Sequence, residues 1–506
     1  MPTTTELLRR EWTEFRRPGR LAALTAAALA VIGLGLLFAF GNHASCDGPC
    51  PAEPTGPDGT LVDDHFTFAH RDLGEHGGIT ARLTSMTGTI TYPPPHHDRI
   101  VPGLVPWAKA GVIIKDGLHQ GSSYAALLLS GKHGVRMQYD YTHDLAGRPG
   151  GVFAGSPRWL RLTRSGDTVT GYESADGHRW DTVGTAHLPG LSRTVQVGLF
   201  ATSPGDLTLR RVGLGGATEE VRFTQVSGVF DHITVKGGGF GGSWRKDALG
   251  PVNTTDWEKY HTPSAVVEKG GTITVTGTGD IGPGSTEGGG RPMERTLGGL
   301  PLALVIVLVV AVRFAASGQH DDRPVGRRAL TAKAAVVGTV TFVTGLLATA
   351  IVIPVGVAVL KGNGVSVTGA TTLTGVRVVV GTAAVLALAA VLAFALATLL
   401  RRTRLAILVT VLTIALPYAV TSFPLLPDTL SRGLLRITPA AGFATQQTLV
   451  AYQQVTAHYA PSAGYFPLPW WAGIAVLCAY AAAFLGLALS RLPRGDKTAA
   501  QPVAWR

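Results

Sequence analysis

The chain has 506 residues, 45% of them hydrophobic and only 15% charged, with a formal net charge of +11 and three cysteines. That length would hold two or three ordinary soluble domains, but uncharged apolar runs fill much of the second half and exclude that division. The positive excess does not indicate a nucleic-acid partner, because much of it lies in short segments flanking the apolar runs.

Residues 1–20 contain "TTELLRREWTEFRRPGR". Leu8, Trp12 and Phe15 fall at i, i+4 and i+7, and Arg9, Arg10, Arg16 and Arg17 take the remaining faces. Thr3 and Glu6 have capping-box spacing, and Pro18 stops the helix. The expectation is a short basic amphipathic helix on the inner membrane surface. The apolar run 21–40 is about twice the typical core of a signal peptide and reads as an uncleaved anchor. Just beyond it, Cys46 and Cys50 in "SCDGPC" are candidates for a disulfide, with free thiols or a metal site including His43 as alternatives. Cys478, in the last apolar run, reads as a small core residue.

Residues 57–236 carry short alternating runs, among them "GITARLTSMTG", "YAALLLSG", "VRMQYDY", "WLRLTRSG" and "TVQVGLFATS". Gly, Asp, Ser and Pro clusters separate them, a pattern that predicts an all-β sandwich. Residues 237–296 are Gly-rich with one strand-like run, "TITVTGTGD", and read as a small β extension and linker.

Six apolar runs occur in all: 21–40, 297–312, 334–360, 378–400, 405–427 and 468–490. A bilayer core about 30 Å thick needs about 20 helical residues, which five runs supply outright. The run 297–312 reaches that length by including Arg313 and Phe314, whose arginine can snorkel to the interface. The expected fold class is therefore α+β and multidomain: transmembrane helix 1 at 21–40, helices 2–6 within 297–490, and an all-β extracellular sandwich between the first two.

Segments 1–20, 313–333, 401–404 and 491–506 carry 5, 5, 3 and 4 Lys and Arg, whereas 361–377 and 428–467 carry 2 each. The positive-inside rule then puts both termini, including the 491–506 tail, in the cytoplasm, and residues 41–296 outside. A composition rich in Arg, Ala and Gly suggests a bacterial source, hence the cytoplasmic membrane.

The series "PWAKAGVIIKDG", "SSYAALLLSG", "PRWLRLTRSGDTVTGYESADGHRWDTVG" and "VGLFATS" resembles the concanavalin A-like jelly rolls related to lectins and glucanases. The resemblance covers roughly 57–236 and implies a module for binding carbohydrate. Trp107, Trp159 and Trp180 are candidates for stacking on sugar rings, and the competing reading has them capping the sandwich core. Glu173 and Asp176 are the acidic candidates; a retaining glycosidase needs a second carboxylate about 5 Å away, and none is visible. The plainer expectation is a solvated strand residue at 173, a β-turn at Asp176-Gly177, and no enzyme. His96, His97 and Asp98 lack metal-ligand spacing.

The order of elements, with "RREWTEFRR", "GRRALTAKAAVVGTVTFVTGLLATAIVIPVG", "LLRITPAAGFATQQT" and "GYFPLPWWAGIAVLCAYAAAFLGLALSRLPRGD", resembles the permease subunits of actinobacterial type-2 ATP-binding-cassette exporters. The resemblance implies a homodimer or paired permease in the lipid bilayer, driven by a separate ATPase. Glu11, Trp12, Arg16, Arg327 and Arg328 are the candidate contacts to that ATPase. No G-x-x-x-x-G-K-[ST] occurs, so no Walker-type loop binds ATP here; ATP acts through the partner, and no cofactor is bound directly. One departure is that "RFAASGQHDDRPVGRRALTAK", between the second and third spans, lacks the Glu-containing helix of relatives. The alternative is a membrane-anchored binding or sensor protein without active transport.

Overall fold

The computed structural model describes residues 3–44, 53–92, 95–152, 155–238, 243–250, 261, 263–284, 291–317, 326–368 and 370–492. Among the described residues, six helices are long and apolar enough to cross a membrane: α2 (Pro18–Gly41), α3 (Leu300–Ser317), α4 (Arg327–Gly362), α5 (Thr372–Leu400), α6 (Thr403–Thr421) and α8 (Trp470–Ser490). Each matches one of the six apolar runs. A short helix, α1 (Thr4–Phe15), precedes them, and α7 (Asp428–Ile437) lies between α6 and α8. α1 begins at the expected capping box, with Thr3 Oγ1 accepting from Glu6 N–H at 3.2 Å and Glu6 Oε2 from Thr3 N–H at 2.8 Å.

α1 packs on α4 and fixes one end of the bundle. Glu14 accepts from Ser317 Oγ at 2.7 Å and from Lys333 Nζ at 3.1 Å, while Phe15 meets the Phe314 ring edge-on at 4.9 Å. At the same end Arg327 Nη2 donates to Leu492 O at 3.2 Å. Small residues allow the close crossings. A Cβ at Gly35 of α2 would stand 2.1 Å from Thr296 O, and one at Gly299 would stand 2.1 Å from Ala30 O. α6 is interrupted by a π turn at Val411–Ala415 and ends at Thr421, short of the expected 427. After α7, Pro439–Gln446 forms a 3-10 turn whose eight residues are all buried, against α5 and α8.

The remaining strands form a sandwich around one continuous hydrogen-bonded sheet that folds over itself. Two strands make the fold by being longer than one layer: β2 (Phe66–Thr91) and β13 (Gly216–Gly238). In the front layer, the start of β2 pairs with β14 (Arg245–Leu249) and β11 (Val195–Thr202); β4 (Lys109–Lys115), β5 (Tyr124–Ser130), β6 (Gly134–Tyr139) and β7 (His143–Ala146) follow. In the back layer, β10 (Asp181–His187), β9 (Thr168–Ser174) and β8 (Arg158–Ser165) pair onto the middle of β2, then β13, β16 (Thr272–Gly277) and β15 (Ala265–Lys269). β12 (Asp206–Val212) forms a hairpin with the start of β13, and β3 (Ile100–Pro102) edges β2. Alternation turns Leu127, Leu160, Leu162, Val112, Leu199, Val226 and Ile273 into the space between the layers, which is the main core.

The strands within 237–296 belong to the sandwich itself. β14 and β16 join the front and back layers, β17 (Ile281–Pro283) pairs with β1 (Val62–Asp64), and Ile273 and Val275 enter the main core. The glycines that resemble a linker serve close strand approach; a Cβ at Gly277 would lie 2.0 Å from Ala201 O. The β1–β17 ribbon covers a second apolar core on the outer side of the front layer, built from Phe66, Phe68, Ile113, Tyr124, Leu128 and Phe200. Two fully buried lysines hold it there. Lys115 Nζ lies 2.7 Å from Asp64 and 2.9 Å from Tyr141 Oη, and Lys109 Nζ lies 2.5 Å from Asp280.

The tip of the β12–β13 hairpin rests on the bundle. Leu214 N–H donates to Leu425 O at 2.9 Å, and a Cβ at Gly216 would stand 2.0 Å from Pro424 O. Beside it, His458 Nε2 is 2.6 Å from Asp428 of α7, and its Nδ1 is 3.7 Å from Glu219 of β13.

Candidate functional site

The outer face of the back layer gathers what the sequence singled out, together with residues it did not. In β8, Leu160 and Leu162 point into the core, so Trp159, Arg161 and Thr163 point outward. Pairing then sets their neighbours. Trp159 stands opposite Ser174 and Arg82; Arg161 opposite Tyr172 and Thr80; Thr163 opposite Thr170 and Gly78. On the far side of β2, Asp231 is opposite Arg82, Thr234 opposite Thr80 and Lys236 opposite Gly78.

Two of the three tryptophan candidates meet here. The turn after β9 carries Trp180, whose indole N–H donates to Gly177 O at 3.1 Å. Gly177, at φ +79°, lies against Trp159: a Cβ there would stand 2.8 Å from the indole. Asp176 shapes the turn by accepting from His178 N–H, Arg179 N–H and Ser174 Oγ, at 2.8, 2.8 and 3.0 Å. Those bonds hold its carboxyl down at about 2, so it is the turn aspartate the sequence suggested.

The other two candidates lie elsewhere. Trp107 is buried in the loop before β4, stacked on His133 at 4.1 Å. Glu173 is not the solvated strand residue expected. It follows Val169 and Gly171 on the inner face of β9 and is 3% exposed. One carboxylate oxygen accepts from Arg148 N–H at 2.7 Å and the other has no hydrogen-bond partner. Burial pushes this carboxyl above its ordinary value, against the pull of the Arg148 N–H. The reason for the misreading is a loop: Gly147 and Arg148 close over the end of β9 from 25 residues away.

Arg82 and Arg161 are the residues that strand alternation alone did not mark. Arg82 is neutralised by Asp231 through two bonds of 2.7 and 2.6 Å, with its guanidinium 5.6 Å from the Trp159 ring. Arg161 lies 3.7 Å from the centre of Trp180, and its Nε donates to Thr80 Oγ1 at 3.0 Å. Beside it runs an open groove of about 490 Å³, lined by Gly77, Gly78, Thr80, Arg161, Thr163, Thr234 and Lys236 among others. Glycines let the three strands close up beneath it: a Cβ at Gly77 would stand 2.1 Å from Lys236 O, and one at Gly78 would stand 2.1 Å from Leu162 O.

At the opposite part of the molecule, Glu11 departs from its expected role. It is 3% exposed and lies 3.6 Å from Lys333, which removes it from the surface a partner could grip. Trp12 is exposed on the same helix and Arg16 at its C-cap; Arg327 is committed to Leu492, and Arg328 is exposed on the first turn of α4. Cys46, Cys50 and residues 318–325 of the departing loop lie outside the described residues. Among the described residues no His, Cys, Asp and Glu cluster has the makings of a metal site.

No protein-family model and no curated protein matches the chain. Solved structures similar to the sandwich include scytalido-glutamic peptidase with a transition state analog inhibitor, at a TM-score of 0.27 and 9% identity over 42% of this chain and 98% of that one. SCP-B, an eqolisin-family peptidase in complex with the tripeptide Ala-Ile-His, gives 0.25 and 11% over the same shares. Lectin I-B4 from Griffonia simplicifolia gives 0.20 and 10%, over 41% and 90%. The expectation that the chain is not an enzyme is corrected here, since peptidases and a lectin stand together among the similar structures. At these scores the likeness brings no activity and no catalytic residue to this chain.

Proposed function

We propose that the chain is the membrane-spanning permease subunit of an ATP-binding-cassette exporter, driven by a separate ATPase, with the sandwich outside the membrane as a ligand-binding module. The observation that carries this reading is the buried 3-10 segment Pro439–Gln446, enclosed by α5 and α8 after the short helix α7. Irregular backbone at membrane depth is tolerated only where protein buries it or where it lines a passage. A bundle that served only as an anchor has no need to enclose one. Broken helical segments of this kind are a feature of transport sites.

Two further features support the reading. α1, the end of α3, the start of α4 and Leu492 meet at one end of the bundle, the arrangement that cytoplasmic termini require. The sandwich rests on the other end through Leu214 and His458, so movement in the bundle reaches it directly.

The test is gentle purification of the whole protein from its native membrane, followed by identification of co-purifying chains and an ATP hydrolysis assay. A stoichiometric Walker-motif ATPase with vanadate-sensitive turnover is expected. Absence of any ATPase, under conditions that preserve a known exporter complex, would leave a membrane-anchored binding protein as the reading.

A further inference from the structure

We propose that the groove between Arg161 and Lys236 on the back layer binds an acidic glycan, a sugar polymer carrying carboxylate or phosphate groups. This rests on the reading of the sandwich as an outward-facing binding module, and it names the ligand class for that face.

The argument starts from the contrast between neighbouring cations. Arg82 is fully matched by Asp231, two bonds to two oxygens. Arg161, the next outward residue across the strand pair, has no carboxylate partner among the described residues, and neither has Lys236. Arg161 is nevertheless held still. The indole of Trp180 covers one face of the guanidinium at 3.7 Å, and Thr80 fixes its Nε at 3.0 Å. The remaining guanidinium N–H groups have no hydrogen-bond partner among the described residues, and a planar fork of this kind suits two oxygens of a carboxylate or phosphate.

The rest of the lining selects a polyol over a peptide or a lipid. Thr80, Thr163 and Thr234 bring hydroxyls to the groove. Its two large apolar residues, Ile79 and Leu162, are buried at 1% and 0% exposure and turn their side chains into the core. That leaves no apolar socket for a peptide side chain or an acyl chain. None of the lining residues is a carboxylate, so an anion entering the groove meets no repulsion from its walls.

The experiment uses the full chain in nanodiscs of phosphatidylcholine, a lipid without net charge. Three probes are titrated: oligogalacturonate, an oligomer of glycerol phosphate, and dextran as the neutral polymer. The expected result is saturable binding of one or both anionic probes, weakened by salt, with none for dextran. Oligogalacturonate binding alone identifies a carboxylate glycan, and glycerol phosphate alone a phosphodiester polymer. Arg161→Ala lowers affinity by about 10-fold or more, and Lys236→Ala by several-fold. Arg161→Lys, which keeps the charge and loses the fork, falls between wild type and Arg161→Ala. Lys132→Ala, in the exposed β5–β6 turn, binds as wild type. Anionic binding unchanged in both Arg161→Ala and Lys236→Ala, equal binding of dextran, or no binding of any probe would overturn the inference. Lys236→Ala keeps the test decisive if Arg161→Ala unfolds, because Lys236 is exposed and its side chain has no hydrogen bond or ion pair among the described residues. The titration contains no ATPase, so its failure and failure of the exporter reading are separate results.

Discussion

Lys333 of α4 is shared by two carboxylates of α1, with Nζ 3.1 Å from Glu14 and 3.6 Å from Glu11. This charge cluster, with Phe15 packed against Phe314, is what turns an amphipathic surface helix into part of the bundle. The two acids differ in their surroundings. Burial raises Glu11, whereas at Glu14 the bonds from Ser317 and Lys333 outweigh burial and lower it. Lys333→Ala therefore leaves two carboxylates at a half-closed interface and releases α1. Tryptic cleavage after Arg16 should become at least several-fold faster, and unchanged cleavage would show that the aromatic contacts alone hold the helix.

The fully buried pair of Lys115 and Asp64 pins the β1–β17 ribbon over the second core. Burial pulls the Lys115 ammonium downward in pKa and Asp64 opposes it. Lys115→Ala should cost about 3–5 kcal/mol, because it strands the Asp64 charge in an apolar site. Lys115→Met combined with Asp64→Asn should recover much of that loss, since the Asn oxygen still accepts from Gly121 N–H and Tyr141 Oη. Unfolding midpoints of wild type, single and double variants check this.

Glu173 gives a pH dependence of definite sign. Its folded-state pKa is raised, so the stabilisation from its bound proton is full at low pH and is lost as pH rises through the folded value. Glu173→Gln keeps the acceptor for Arg148 N–H and carries no charge. At pH 8 the variant should unfold about 2–4 °C above wild type, and at pH 4 the two should converge. An equal gap at both pH values would mean that the carboxylate is solvated after all.

Asp176 runs the other way. Its carboxyl is held at about 2, so its hold on the turn is present above the ordinary value of 3.8 and is lost as pH falls toward 2. Hydrogen exchange of the His178 and Arg179 amides, corrected for intrinsic rate, should quicken over that window in wild type. Asp176→Ala should show the quick rate throughout.

The contact of the hairpin tip with the bundle is testable by crosslinking. Leu214→Cys with Leu425→Cys should form a disulfide in good yield, as the backbone of the two positions is hydrogen-bonded at 2.9 Å. Adding Gly216→Val should abolish it, because even a Cβ at that position would collide with Pro424 O. Undiminished crosslinking would show that the hairpin shifts to accommodate the side chain.

Much of the architecture was legible in the sequence, because hydrophobic period and length are local properties. Six apolar runs gave six long helices, Thr3 and Glu6 formed their capping box, and the alternating run "WLRLTRSG" became strand β8. Asp176 declared itself as a turn residue through the glycine after it. Local pattern could not reveal what depends on residues far along the chain. Glu173 was buried by a loop around Gly147, and Glu11 was taken out of solvent by Lys333, more than 300 positions away. Only tertiary pairing set Arg82 against Asp231, left Arg161 beside Trp180 without a carboxylate, and carried the Gly-rich stretch after 237 into both layers. The physical reason is the same in each case. Burial and charge pairing are properties of neighbours in space, and the register of β2 against β8 and β13 determines which neighbours those are.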